Sequence, residues 1–119
     1  MPRYCFVGHV HPAHVARYRE RHAAVWPEML AALAEAGWRD YSLFLRPDGL
    51  LVGCFRADDK DLAQARMAVT EVNARWQSAM ADLFAGDGSP DETFEFLPEV
   101  FHLEDQLRAA AGDAARSHS

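Results

Sequence analysis

A tyrosine and a histidine four residues apart are the side chains of this sequence best placed to do chemistry. Tyr18 and His22 project from one face of a predicted helix, on an apolar stripe with Val15 and Val25. An imidazole beside a phenol on an inward-facing stripe has two interpretations. His22 is either a buried structural histidine with one hydrogen bond, or a general acid or base with Tyr18 as its polar partner in a pocket.

Three further side chains could line the same pocket. Tyr41 lies in a predicted strand, and Trp76 and Gln77 lie on a later predicted helix. For each aromatic residue, core packing with a satisfied OH or NH group is the alternative interpretation. Aromatic walls with a few polar groups suit a neutral polyol, because a sugar offers an apolar C–H face for stacking and hydroxyls for hydrogen bonding.

A metal site is the other chemistry to consider. His9, His11 and His14 lie near a predicted strand end, but they lack the Cys or Asp/Glu companions of the usual zinc patterns. Surface histidines are therefore the favoured interpretation. Motifs for phosphate-binding loops, hydrolase nucleophile elbows and zinc proteases are also missing from the sequence. We predict no metal and no cofactor.

Composition limits the class of partner. The 119 residues carry 12 Lys+Arg against 18 Asp+Glu, a net charge of -6, which argues against nucleic acid and anionic membranes. The sequence has no apolar run of transmembrane length and no signal-peptide pattern at its N-terminus, so we expect a cytoplasmic protein. Cys5 and Cys54 are then expected to be reduced thiols.

Hydrophobic periodicity indicates the elements that must position these side chains. Alternation predicts a strand over Arg3–Val10, and helical spacing begins at Ala13. Proline suits the first turn of a helix and glycine its end, so a second helix is predicted from Pro27 to Gly37. The first of these two helices carries the Tyr-His pair.

A hairpin and a further helix follow. Trp38–Leu45 and Leu50–Ala57 alternate around a Pro-Asp-Gly turn, which predicts two paired strands. Asp58, Asp59 and Asp61 lack the glycine turn and distal glutamate of a calcium loop, and they predict a helix cap instead. One helix to about residue 84 is predicted from the stripe Val69, Val72, Trp76, Met80 and Leu83.

The C-terminal quarter is expected to contain one more strand. Gly86–Asp91 is predicted to be a loop. Pro98 restricts the last strand, predicted within Phe94–Leu103, to an edge of the sheet or to the second half, Glu99–Leu103. The Ala-rich residues that follow have too few large apolar side chains to pack. Residues 1–104 are therefore predicted to form a single domain, with residues 105–119 as a flexible or partly helical tail.

The predicted order βαββαβ is that of a ferredoxin-like α+β fold, in which helices cover one face of an antiparallel four-stranded sheet. The other face would be bare and apolar. A symmetric homodimer, the dimeric α+β barrel, is the simplest way to cover it. The first and third strands are neighbours in this topology, so Cys5 and Cys54 are expected to lie close together.

The most specific motif is Arg21-His22, three intervening residues, and Trp26-Pro27-Glu28. With it occur Tyr18, Tyr41, the pair Arg75-Trp76 followed by Met80, and Glu99-Val100-Phe101. On these residues the chain, over about residues 3 to 103, resembles the L-rhamnose mutarotase family. The tail lies outside the resemblance.

The resemblance implies a dimeric ferredoxin-like fold without a cofactor, and interconversion of the α and β anomers of L-rhamnose or a related 6-deoxyhexose. It implies that His22 is the catalytic proton donor and that Tyr18, Tyr41 and Trp76 contact the sugar. Gln77 departs from the family pattern, which has a second tryptophan there. This departure keeps one alternative open, a related barrel enzyme with another substrate, such as a cyclase or monooxygenase of secondary metabolism. A non-catalytic sugar sensor is the second alternative, and His22 argues against it because binding a neutral sugar does not require a group that titrates near pH 7.

Overall fold

The computed structural model describes residues 1–84 and 94–117 of the chain. In this part, four antiparallel strands form a sheet in the order β2-β3-β1-β4, with bounds β1 Arg3–His9, β2 Arg39–Leu45, β3 Leu50–Arg56 and β4 Glu95–Leu97. The helices are α1 Val15–His22, α2 Pro27–Ala36, α3 Lys60–Ala68, α4 Glu71–Met80 and α5 Leu103–Ser117. The ferredoxin-like α+β fold predicted from the sequence is confirmed.

Local signals explain most helix boundaries. Pro27 opens α2, and Gly37 ends it with a left-handed φ of 103°, a conformation that glycine adopts without steric cost. The side chain of Asp59 accepts a hydrogen bond from the backbone N–H of Leu62, so the predicted acidic cap of α3 is confirmed. A short 3-10 turn, Pro12–His14, precedes α1.

The single helix predicted up to residue 84 is wrong. The structure breaks it into α3 and α4 at Thr70, whose Oγ1 accepts a hydrogen bond from the backbone N–H of Asn73 and caps the second helix. Val69 is 85% exposed at the break, so it does not belong to the apolar stripe. The two helices therefore have separate N-terminal caps, Asp59 for α3 and Thr70 for α4.

Of the two alternatives for the last strand, the edge position is confirmed and the placement over Glu99–Leu103 is wrong. The strand predicted over Glu99–Leu103 is absent from the structure there, and β4 lies before Pro98 instead, where Phe96 pairs with Phe6 of β1. Proline lacks the N–H that a ladder needs, and it ends this strand rather than beginning it. The predicted loop Gly86–Asp91 lies outside the described residues.

Beyond β4 the chain forms α5. The predicted domain boundary at residue 104 falls within the first turn of this helix. In the described part of the chain no helix is both long and apolar enough to cross a membrane.

In the described part of the chain, one face of the sheet carries exposed apolar side chains. Phe44 of β2 and Leu97 of β4 are 61% and 43% exposed on this face, as the sequence predicted for the bare face. The cysteines share it: Cys5 pairs with Cys54 across β1 and β3, which confirms that they are neighbours, and both are free thiols.

The covered face packs around Phe6, which is completely buried. Its ring stacks on Phe94 at 4.3 Å between centroids and lies directly over Gly53 of the neighbouring strand. A Cβ atom at residue 53 would overlap the Phe6 ring. Glycine is therefore required here for space, and Phe6 forms part of the floor of the cavity described below.

Gly53→Ala is expected to lower the free energy of unfolding by about 1 to 3 kcal/mol, because the buried Phe6 ring must leave its position. Urea unfolding followed by circular dichroism measures the loss. Gly112→Ala in α5 is the matched control: the added methyl group meets no atom within 4 Å and should be neutral or slightly stabilising. Equal unfolding midpoints for Gly53→Ala and the wild type would contradict this account.

Candidate active site

A cavity of about 650 Å³ lies between the covered face of the sheet and helices α1 to α4. This volume is typical of small-molecule sites. Its walls are mostly aromatic and aliphatic, with few polar side chains. All five site residues predicted from the sequence line it: Tyr18, His22, Tyr41, Trp76 and Gln77.

His22 and Tyr18 lie one turn apart on α1, with their rings stacked at 3.9 Å between centroids and 18° between planes. Nδ1 of His22 lies 2.9 Å from the backbone carbonyl oxygen of Tyr18. Because a carbonyl oxygen can only accept, Nδ1 donates this hydrogen bond and carries the proton. In the neutral imidazole, Nε2 is therefore the basic nitrogen.

Burial keeps His22 neutral. Desolvation lowers the pKa of the imidazole below its ordinary value of 6.5, although the hydrogen bond to the Tyr18 carbonyl acts in the opposite direction. Trp76 is an apolar neighbour of the imidazole: the two rings lie edge to face, with centroids 5.2 Å apart and planes at 84°. At neutral pH the side chain is thus ready to accept a proton.

Both tyrosines of the cavity are neutral hydrogen-bonding groups. Burial raises the pKa of the Tyr18 phenol, and the pKa of Tyr41 is raised by burial and then by the nearby charge that Tyr18 would carry. A register shift between Arg39 and Ser42, typical of a β-bulge, lies where β2 presents Tyr41 to the cavity. Because its raised pKa keeps each phenol protonated, each can donate or accept a hydrogen bond.

Two sequence motifs meet beside the cavity. The Trp26 ring packs edge-on against Trp76, with centroids 5.0 Å apart. Arg75 Nη2 binds Glu28 Oε2 at 2.9 Å and its guanidinium lies 5.9 Å from the Trp26 ring. These contacts join the start of α2 to α4 and hold the Trp76 wall in place.

Asn73 is a buried polar residue of the cavity that was not among the residues predicted from the sequence. It is only 5% exposed, lines the cavity, and accepts at Oδ1 a hydrogen bond of 3.2 Å from Nε2 of Gln77. A signal was available, because Asn73 lies three residues before Trp76 and therefore on the same helix face. The predicted stripe on this helix contains apolar residues only and does not include Asn73.

The histidines near the end of β1 have local structural contacts. Nδ1 of His11 accepts a hydrogen bond from the backbone N–H of Ala13 and caps the 3-10 turn, and the rings of His11 and His14 lie 5.2 Å apart. Among the described residues, no group of three or more His, Cys, Asp or Glu side chains is arranged to hold a metal ion.

Comparison with known proteins gives a consistent result. Residues 3–103 match the family model described as L-rhamnose mutarotase. The chain is similar to the L-rhamnose mutarotase of Burkholderia cenocepacia, at 41% identity over 87% of this chain and 100% of that protein. It is similar also to that of Bacteroides thetaiotaomicron, at 31% identity over the same shares of each chain.

Solved structures agree on the fold. A crystal structure of an L-rhamnose mutarotase from Formosa agariphila superposes with a TM-score of 0.71 and 25% identity, covering 87% of this chain and 99% of that one. An antibiotic biosynthesis monooxygenase shares the fold at a TM-score of 0.56 and 15% identity, over 85% of this chain and all of that one. With the cavity, the matched residues and these relatives together, the chain belongs to the L-rhamnose mutarotase family.

Proposed function

We propose that this protein interconverts the α and β anomers of L-rhamnose, or of a related 6-deoxyhexose, by acid/base-catalysed ring opening and closure. The observation that carries the proposal is His22: a neutral imidazole in an aromatic cavity, with Nδ1 bonded to the backbone and Nε2 as its basic nitrogen. Membership of the mutarotase family supports the same reaction.

The proposed chemistry needs one group that both accepts and returns a proton. Nε2 of His22 removes the proton of the anomeric hydroxyl, the bond between C1 and the ring oxygen breaks, and the electron pair stays on that oxygen. The imidazolium then protonates the ring oxygen, which gives the open-chain aldehyde. After rotation about the C1–C2 bond, the reverse steps close the ring on the other face of C1.

The remaining cavity residues are assigned to binding. Trp76 supplies an apolar face on which the sugar ring can stack, and Tyr18 and Tyr41 offer neutral hydroxyls to the sugar. Gln77 contributes an amide. The reaction changes no oxidation state, so these side chains suffice without a cofactor.

The proposal includes the oligomeric state of the protein. Two chains pair as a homodimer through the sheet face where Phe44 and Leu97 are exposed. Residues 1–104 hold the sugar site, and the protein acts in the cytoplasm. Sedimentation velocity tests the assembly: Phe44→Asp should shift a wild-type dimer toward monomer, and an unchanged dimer would contradict this interface.

Magnetisation-transfer NMR on the anomeric protons of free sugars tests the activity, because it detects exchange at equilibrium, where both anomers are already present. The sugars tested are L-rhamnose, L-fucose, D-glucose and D-galactose. We expect the protein to accelerate anomer exchange of L-rhamnose. Binding without acceleration would indicate a sugar sensor. A flat response to every sugar would favour a barrel enzyme with another substrate and contradict the mutarotase proposal.

The pH profile of exchange is expected to have one acidic limb. The reaction as proposed starts from neutral His22, so kcat/KM is constant at neutral pH and falls as the pH drops through the His22 pKa. Because burial lowers this pKa, the midpoint should lie below 6.5. NMR exchange rates between pH 4.5 and 8, corrected for the spontaneous reaction, provide the measurement. A midpoint above 6.5 would contradict the assignment.

A further inference from the structure

Two amides on successive turns of α4 form a hydrogen-bonded pair within the aromatic cavity. Gln77 Nε2 donates to Asn73 Oδ1 at 3.2 Å, and both residues line the cavity. Asn73 is only 5% exposed, whereas Gln77 is partly buried. A polar group this deep among apolar neighbours is costly unless its hydrogen bonds are made. A leucine or methionine would fill the space without that cost, so packing alone does not account for an amide.

The position of Asn73 is held by the start of α4. Its backbone N–H donates to Oγ1 of Thr70 at 3.3 Å, and the Thr70 hydroxyl donates to the carbonyl oxygen of Met67 at 2.8 Å. The helix cap therefore anchors Asn73 to the end of α3. Gln77 has a longer side chain with more rotatable bonds, and its hydrogen bond to Asn73 selects one of its conformations.

The direction of the bond decides what the pair offers to a ligand. It uses a donor of Gln77 and an acceptor lone pair of Asn73, so Oε1 of Gln77 retains its role as an acceptor and Nδ2 of Asn73 its role as a donor. The two amides thus offer one donor and one acceptor side by side. A sugar hydroxyl, which donates one hydrogen bond and accepts others, is complementary to such a pair.

We propose that Asn73 is a positioning residue for sugar specificity, which holds the Gln77 amide so that the two side chains together recognise one secondary hydroxyl of the substrate. The proposal rests on the sugar site proposed above and deepens it. Stacking on an aromatic wall tolerates the loss of a hydroxyl, whereas a buried amide pair is left with unmade hydrogen bonds when that hydroxyl is missing. The amide pair would therefore distinguish between sugars of the same shape.

Equilibrium binding tests this role directly. The ligands are L-rhamnose and its analogues lacking the 2-, 3- or 4-hydroxyl, titrated by calorimetry into wild type, Asn73→Ala, Gln77→Ala and the double variant. We expect wild type to bind one analogue about 10-fold more weakly than L-rhamnose, the size of effect given by lost hydrogen bonds to a hydroxyl. Each single variant should bring that ratio close to one, and the double variant should change it no further than Gln77→Ala does.

Two further variants separate a change in binding from a folding defect. Asn73→Leu keeps the volume of the side chain but removes the acceptor that holds the Gln77 amide, so loss of discrimination in this variant reports the hydrogen bonds of Asn73 even if Asn73→Ala folds poorly. Ser78→Ala, an exposed neighbour on the same helix, is the matched control and should discriminate like wild type. Thermal unfolding of each variant separates a folding defect from a change in binding.

The outcomes are distinct from those of the activity test. Equal discrimination in wild type, Asn73→Ala and Asn73→Leu would overturn the proposal, as would a wild type that binds all four sugars equally or binds none. Anomer exchange is measured on the same samples. Discrimination that depends on Asn73 in a protein without exchange activity would support the amide pair while contradicting the mutarotase proposal.

Discussion

His22→Ala is expected to reduce protein-catalysed anomer exchange of L-rhamnose by about 10²- to 10⁴-fold, the usual contribution of a positioned proton-transfer group. This corresponds to roughly 3 to 5 kcal/mol of activation free energy. The residual rate should approach the spontaneous one, because no other described cavity side chain is a base at neutral pH: the pKa values of Tyr18 and Tyr41 are raised. Magnetisation-transfer NMR at pH 7 measures the rate.

The histidine test has a matched control in the same chain. His9 is exposed at the end of β1 and does not line the cavity, so His9→Ala should exchange anomers like wild type. Added imidazole should restore part of the activity of His22→Ala, because the substitution leaves a space of the right shape beside Tyr18. Full activity in a folded His22→Ala protein would exclude His22 as the acid/base group.

Trp76→Ala is expected to lower the free energy of unfolding by about 3 to 5 kcal/mol, as large-to-small substitutions of buried aromatic residues do. Trp76 is 6% exposed, and its ring contacts both His22 and Trp26 edge-on. The cavity would also lose its stacking wall, so any protein that stays folded should bind L-rhamnose weakly. Urea unfolding and calorimetric titration measure the two effects separately.

Trp26 provides the comparison for this prediction. It is 37% exposed and does not line the cavity, so Trp26→Ala should cost about 1 kcal/mol and weaken sugar binding less than Trp76→Ala does. Trp76→Phe keeps an aromatic face and should recover most of the binding. If Trp76→Ala and Trp26→Ala destabilised the protein equally, the burial of Trp76 would not be the source of its effect.

How much of the site could be predicted depended on how local each relationship is. Tyr18 and His22 are four residues apart on one helix, so their spacing alone places them on the same face. Their stacking and their position in a cavity agree with that prediction. Asn73 lies at the right spacing from Trp76 as well, but burial of an amide is set by the elements packed over it. Composition and periodicity carry no information about that packing.

The fold, too, has features that the local sequence determines and features that only packing determines. Strand alternation, the Pro27 and Gly37 boundaries of α2 and the βαββαβ order are properties of the sequence itself, because they depend on backbone preferences and on the period of apolar residues. Only the tertiary structure shows that the helical stretch after β3 is broken at Thr70 and that β4 ends before Pro98. It also decided that His22 is neutral with a basic Nε2, because desolvation and the carbonyl partner that set its pKa and tautomer exist only after the helices close over the sheet.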